Sequence, residues 1–215
     1  MTVSTVAPQR NASRAFWLKH LHQWHWISSA LCLLAMFLFS ITGITLNHAS
    51  QIEAKPAIQR QQASLPAALL DQLRSEAAQH DGAKQPLPAS AEQWLRATWK
   101  VQAGGRAAEW AVDEIYLALP KAGGDAWVRF ALEDGNAEFE NTDRGWISWL
   151  NDVHKGRNTG PVWNWFIDLF AVACLVFCVT GLLILKFHAA HRPAVWPVVG
   201  LGVLIPLLIA LLFIH

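Results

Sequence analysis

ISSALCLLAMFLFSITGITL, residues 27–46, runs twenty residues without a Lys, Arg, Asp or Glu. At about 1.5 Å of rise per helical residue it covers a hydrocarbon core of about 30 Å. Residues 162–185 repeat the pattern with one carboxylate, Asp168, and residues 194–214 repeat it with no charge at all. All but six of the chain's 33 charged residues fall between Glu53 and Arg157. The 215-residue chain is 53% hydrophobic and 15% charged, against roughly 25% charged in a soluble domain. That distribution excludes a soluble enzyme, a disordered tail and a secreted disulfide scaffold. It predicts an integral membrane protein with three transmembrane helices and one polar insert.

The net charge of +1 and the absence of a Lys/Arg cluster give no basis for binding nucleic acid. Cys32, Cys174 and Cys178 all lie in apolar stretches, so no disulfide holds the polar insert together. Cys174 and Cys178 share a helix face at i, i+4. That spacing fits a thiol ligand pair, or small polarizable packing residues.

Residues 27–46 exceed the apolar core of about 7–15 residues found in a signal peptide, and no small-x-small cleavage site follows, so they read as a retained helix. Arg10, Arg14 and Lys19 precede them without an acid, and Lys186 and Arg192 separate the second and third apolar stretches, again without one. Short positive segments stay in the cytoplasm, whereas a long loop crosses whatever its charge. The expected organisation is a cytoplasmic N-terminal tail (1–26), a first transmembrane helix (27–47) and an extracytoplasmic α+β domain (48–144). An interfacial amphipathic helix and linker (145–160) follows, then a second transmembrane helix (161–187), a cytoplasmic turn (188–193) and a third transmembrane helix (194–215). Trp17, Trp24 and Trp26 at one mouth, and Trp146, Trp149, Trp163 and Trp165 at the other, fit interfacial belts.

Within the polar insert, Leu69, Leu73 and Ala77 predict a helix over residues 65–80, with Pro66 in its first turn. Ser90 is the expected cap of a second helix leading to Trp94. Residues 109–119 and 127–132 read as strands, and Asp134-Gly135 as a hairpin turn into residues 137–140. Trp146, Ile147, Trp149, Leu150 and Val153 recur at helical spacing, as in a helix lying in the membrane interface.

Six of the nine histidines sit at the membrane boundaries: His22, His25, His48, His154, His188 and His191. An imidazole at a bilayer mouth serves as a simple interfacial polar group; the argument for chemistry is the arrangement. Each mouth receives a histidine from each of two consecutive helices. Haem iron takes two axial imidazoles, and bis-His ligation from facing helices suits a non-covalently held b-type haem. No Cys-x-x-Cys-His occurs, which excludes c-type attachment. Zinc is the competing metal, but it wants four ligands, or three and a water, and each mouth offers two or three histidines and no cysteine.

A weak internal repeat guides the pairing. Trp17-Leu18 and His22 match Trp149-Leu150 and His154 at an offset of 132, and Phe39-x-x-Thr42-Gly43 matches Phe177-x-x-Thr180-Gly181 at an offset of 138. With one insertion, the matches suggest two halves related by an inverted pseudo-twofold axis. His22 is then expected to meet His188 at the cytoplasmic mouth, and His48 to meet His154 at the outer mouth. At 100° per residue His22 lies about 80° from the direction of His48 and His25 about 140° away, which favours His22 as the inner ligand. His25 lies nearer the hydrocarbon by about 4.5 Å and stays the alternative. Thr42-Gly43 and Thr180-Gly181 let helices approach closely, or clear room for a porphyrin face. Asp168, a carboxylate inside a membrane segment, is a candidate for a proton or cofactor contact, or a residue stabilised by the nearby helix N-terminus.

Two motifs carry a family resemblance. Leu21-His22-Gln23-Trp24-His25-Trp26, leading to Thr42-Gly43 and Asn47-His48, resembles the first helix of PepSY-associated transmembrane proteins. Val153-His154-Lys155-Gly156 through Gly160, followed by Thr180-Gly181-Leu182, resembles their second conserved helix. The hairpin over residues 127–140 looks like the end of a PepSY-like domain. The resemblance implies a membrane α-helical protein with an inserted small α+β PepSY-like domain. Larger members include bacterial inner-membrane ferric-siderophore reductases with b-type haems, which implies two bis-His haems and passage of electrons to a ferric chelate in the periplasm. This chain departs from them in having three membrane helices and one external domain. No Gly-x-Gly-x-x-Gly follows a strand, so the electron donor would be a partner protein, quinol or soluble reductant. PepSY domains are also associated with protease inhibition and regulation, and an accessory or assembly role shared with a second copy or a partner membrane subunit reads similarly. The histidines separate these readings, because an inhibitor has no use for paired imidazoles at both mouths.

Overall fold

The structure is a computed structural model describing residues 9–52 and 55–214, without the side chains of residues 9–12 and 191. The first eight residues of the expected tail and the side chains of Arg10 and His191 lie outside the described residues. The chain divides into two compact units, residues 39–164 and the flanking segments 1–38 and 165–215.

The flanking unit is helical. Helix α1 (Gln9–Asn47) runs 39 residues, so the segment expected as a tail is helical from Gln9. Helix α5 (Pro161–His188) is followed by a single 3-10 turn (Ala189–His191) and helix α6 (Val195–Phe213). Three helices, over Ser13–Asn47, Pro161–His188 and Val195–Phe213, are long and apolar enough to cross a membrane. Their outward surfaces are Leu, Ile, Val and Phe, which a bilayer rather than water must cover. The few buried positions of α1 in this unit are small and weakly polar: Ser28 and Cys32, three and seven residues after His25. Ser28 Oγ donates to the carbonyls of Trp24 and His25, so its hydroxyl is satisfied inside its own helix.

The other unit holds a six-stranded antiparallel sheet in the order β1-β6-β5-β4-β3-β2. Its strands are β1 (Ala57–Ser64), β2 (Lys84–Pro86), β3 (Ala107–Trp110), β4 (Glu114–Ala118), β5 (Gly124–Ala131) and β6 (Asn136–Asp143). Helices α2 (Ala67–Gln79) and α3 (Ala89–Trp99) supply Leu69, Leu73, Ala77, Ala91 and Leu95 to a core with Trp110, Ile115, Leu117, Val128, Phe130 and Ala137. Along β5 the buried residues alternate at Gly124, Ala126, Val128 and Phe130, the period a pleated strand imposes. The opposite face is polar: Arg60 pairs with Glu140 at 2.6 Å, Arg129 with Glu138 at 3.1 Å, and Tyr116 stacks near Trp127.

Several expectations need correction. Ser90 does not cap α3. Pro88, already extended at φ −63° and ψ 151°, occupies the cap position, and Ser90 Oγ donates to Gln72 of α2 instead. Residues 109–119 form two strands rather than one, because the chain reverses after Trp110 and pairs it with Ile115. Strand β1 had no sequence signal. It is an edge strand with polar side chains, ordered by eight residue pairs with β6. The expected hairpin joins β5 to β6, with Gly135 at φ 67°, where a residue without Cβ is favoured.

Helix α4 (Trp146–Lys155) is framed by Gly145 and Gly156, both at positive φ. The sequence reading lays its apolar face in the membrane interface. The structure leaves Trp146 and Trp149 exposed and buries Asn151 and Asp152. Asp152 Oδ2 accepts the Gly123 backbone N–H at 2.9 Å, and Thr45 Oγ1 of α1 donates to Asn151 Oδ1 at 3.0 Å. These two polar contacts fasten α4 to the β4–β5 turn on one side and to the end of α1 on the other.

Candidate functional site

Four of the boundary histidines fall into two kinds of setting. His22 on α1 and His188 at the end of α5 form the first. Each Nδ1 donates to a carbonyl one turn back in its own helix, His22 to Leu18 at 2.7 Å and His188 to Ile184 at 2.8 Å. A carbonyl only accepts, so Nδ1 carries the proton and the neutral ring keeps its lone pair on Nε2. The ring centroids lie 6.2 Å apart with planes at 85°. Two imidazoles sharing one metal at an imidazole–metal bond of about 2.1 Å place their centroids roughly 6 Å apart. By donor chemistry, two rings that each tie Nδ1–H back to a carbonyl and keep a lone pair on Nε2 suit a bis-imidazole site. Among the described residues, no group of three or more His, Cys, Asp or Glu is gathered to hold a metal ion.

His25 and His154 form the second kind. His25 Nδ1 lies 3.1 Å from Thr180 Oγ1, whose hydroxyl hydrogen goes to the Val176 carbonyl at 2.6 Å; the histidine is therefore the donor. The ring stacks on Phe177 at 4.6 Å, and a methyl placed on Gly181 would come within 3.2 Å of its Cε1. His154, on α4, repeats this arrangement against α1. It shares a 2.7 Å hydrogen bond with Thr42 Oγ1, packs on Phe39 at 5.0 Å, and faces Gly43, where a methyl would lie 3.5 Å from Cε1. The repeated Phe-x-x-Thr-Gly motif is thus a receptacle for an imidazole, built twice. Phe offers a ring face, Thr an oxygen, and Gly the clearance.

This pairing revises the internal repeat. The sequence match aligns His22 with His154 as equivalent positions, whereas their surroundings make His25 the counterpart of His154. The signal in the sequence is the duplicated Thr-Gly, which by itself fits helix packing or porphyrin clearance. What each glycine faces is a histidine ring.

The remaining expected residues are less gathered. His48, just beyond α1, shares a 3.1 Å hydrogen bond with Gln51, and no ring contact joins it to His154 among the described residues. Asp168 lies on the exposed side of α5. Around α4, Trp163 Nε1 donates to the Val153 carbonyl at 2.9 Å, fixing the residue before His154. In the sheet domain, the Arg60 guanidinium bonded to Glu140 holds that carboxyl below the usual carboxylate range. Burial pushes the Tyr116 hydroxyl up, with the nearby carboxylates of Asp125, Glu109 and Glu140 adding to it.

Neither a curated protein nor a solved structure matches the chain. A family described as PepSY_TM-like matches residues 16–215, which takes in all three membrane helices, the inserted sheet domain and every histidine described above. This multi-pass membrane protein with an inserted α+β domain belongs to the PepSY_TM-like family.

Proposed function

We propose that the protein holds b-type haem in the membrane and passes electrons across it. The observation carrying this reading is the His22–His188 pair: two imidazoles from different helices, each with Nδ1–H tied to a backbone carbonyl and ring centroids 6.2 Å apart. Such carbonyl partners fix the tautomer and orientation of a metal-binding imidazole and raise its basicity. A haem held by His22 and His188 would supply one-electron chemistry. At the other mouth the proposed ligands are His154, seated on Thr42, and His48.

In this reading the N-terminus is cytoplasmic, the membrane is the bacterial inner membrane, and the sheet domain faces the periplasm. That orientation is supported by Arg14, Lys19, Lys186 and Arg192 around the helix ends that carry His22 and His188. A quinol, soluble reductant or partner subunit delivers electrons there, and a ferric chelate beside the domain receives them.

The test is spectroscopic. The full chain is purified in mild detergent after expression with haem supplied, and reduced-minus-oxidised and pyridine haemochrome spectra are recorded. Low-spin b-type spectra are expected, and His22→Ala and His188→Ala should each remove the same component, because the two ligands act as a unit. A folded, colourless protein would sink the reading and favour a regulatory or protease-inhibitory role for the domain.

A further inference from the structure

The helix ends that carry His22 and His188 are one-signed in charge. Residues 1–38 and 165–215 contain Asp168 as their one acidic side chain, and it lies twenty residues before His188 on α5. Within eight residues of His22 or His188 along the chain, the charged side chains among the described residues are Arg14, Lys19, Lys186 and Arg192. Arg14 is the one whose placement the pair itself defines. It lies two turns before His22 on α1, with Leu18, the carbonyl partner of His22, halfway between. Its Nη2 donates to the carbonyl of Phe187, the residue before His188, at 3.1 Å. One guanidinium thus spans both histidine-bearing helices and uses a single donor to do so. The remaining donors of its fork have no partner among the described residues, and the fork geometry of a guanidinium matches a carboxylate.

We propose that Arg14 anchors the porphyrin, its guanidinium binding a propionate carboxylate of a haem held by His22 and His188. The inference rests on the haem reading above. The shared chemistry is an oxyanion at the membrane face, and an anionic lipid headgroup is the other source of one. The porphyrin is favoured because the guanidinium is fixed to Phe187, beside a proposed axial ligand, rather than directed outward from the end of α1. A carboxylate there neutralises a site that the chain leaves without an acid of its own.

The experiment compares haem with its dimethyl ester, which keeps the iron and ring but lacks both carboxylates. Full-length haem-free protein in nanodiscs of zwitterionic lipid is titrated with each, and binding is read from the Soret shift. Wild type should bind the free acid roughly tenfold tighter than the ester, about what a charge-assisted hydrogen bond is worth. Arg14→Gln keeps an amide donor for the Phe187 carbonyl and should bind both forms as wild type binds the ester. Arg14→Lys should keep part of the preference. An unchanged acid-over-ester preference in Arg14→Gln overturns the proposal. So does an equal weakening of both forms, which would make Arg14 a helix tie alone. A preference that appears only with anionic lipid, and not with the porphyrin carboxylate, assigns the site to lipid and also overturns it. Wild type that binds neither porphyrin fails before Arg14 is reached and removes the haem reading with it.

Discussion

Replacing Gly123 by Ala should unseat α4, and the cost follows from three features of the structure. Gly123 has φ 74°, in the left-handed region, where a side chain costs about 1–2 kcal/mol. Its new Cβ would lie 2.6 Å from Trp149 Cβ, 2.8 Å from its Cα and 3.0 Å from its N. Those atoms belong to the helix backbone and the root of a side chain, so no rotamer change relieves the clash and α4 must retreat. Overpacking of this kind costs roughly 1–3 kcal/mol. Retreat also stretches the bond from Gly123 N–H to the buried Asp152 carboxylate, worth about 1.5–3 kcal/mol as a hydrogen bond to a charged group. Clash and stretched bond are alternative ways of absorbing one displacement, so with the backbone strain the total is about 2–5 kcal/mol. Gly105→Ala is the control: φ is 68° and nothing lies within 4 Å of the added methyl, so only the backbone strain is felt. Thermal melts of both full-length variants in detergent, followed by near-UV circular dichroism, measure the difference. At roughly 2–4 °C per kcal/mol for a chain of this size, Gly123→Ala should melt about 10 °C below wild type and well below Gly105→Ala. Two variants melting within 2 °C or so of each other would refute the argument that α4 is docked through this glycine.

At the receptacles, Gly181→Ala forces a methyl to 3.2 Å from His25 Cε1, whereas Gly43→Ala meets His154 at an ordinary 3.5 Å. The first should therefore destabilise by about 1 kcal/mol and the second by less, with melts in the reverse order counting against the receptacle. Glu140 in the folded domain should titrate below an ordinary carboxylate because Arg60 bonds it. The stability this adds is present above the unfolded-state value and is lost as pH falls through the folded one. Arg60→Gln should return the Glu140 titration upward in carboxyl-detected NMR, and an unmoved midpoint would contradict the assigned cause. For orientation, a thiol introduced as Asp81→Cys should react with a membrane-impermeant maleimide from outside the cell and one introduced as Ala189→Cys should not; the opposite pattern inverts the topology.

Hydropathy along the chain is enough to name the three spans, because a bilayer selects long uncharged segments whatever their tertiary partners. Local chemistry is likewise enough for α2, with Leu69, Leu73 and Ala77 on one face, and for the Asp134-Gly135 hairpin. The boundary histidines are visible as a set, and the approach of His22 to His188 follows from running two consecutive helices in opposite directions.

Tertiary structure decided what distant segments supply. Strand β1 carries no alternation, since an edge strand of Arg and Gln takes its order from hydrogen bonds to β6. Helix α4 reads from its sequence as amphipathic, with its tryptophans in the membrane interface, and nothing in that pattern marks its polar residues for burial. Yet Asn151 and Asp152 are the buried residues, because Thr45 of α1 and the Gly123 amide provide their hydrogen bonds. His22 and His25, 60° apart on one helix, are only weakly separated by spacing. They separate cleanly only when α5 sets a Phe-x-x-Thr-Gly motif against His25 and the His188 ring against His22. Periodicity reports which face of an element is apolar. It is silent on whether a polar side chain will find a partner there, and a buried polar group is stable only when it does.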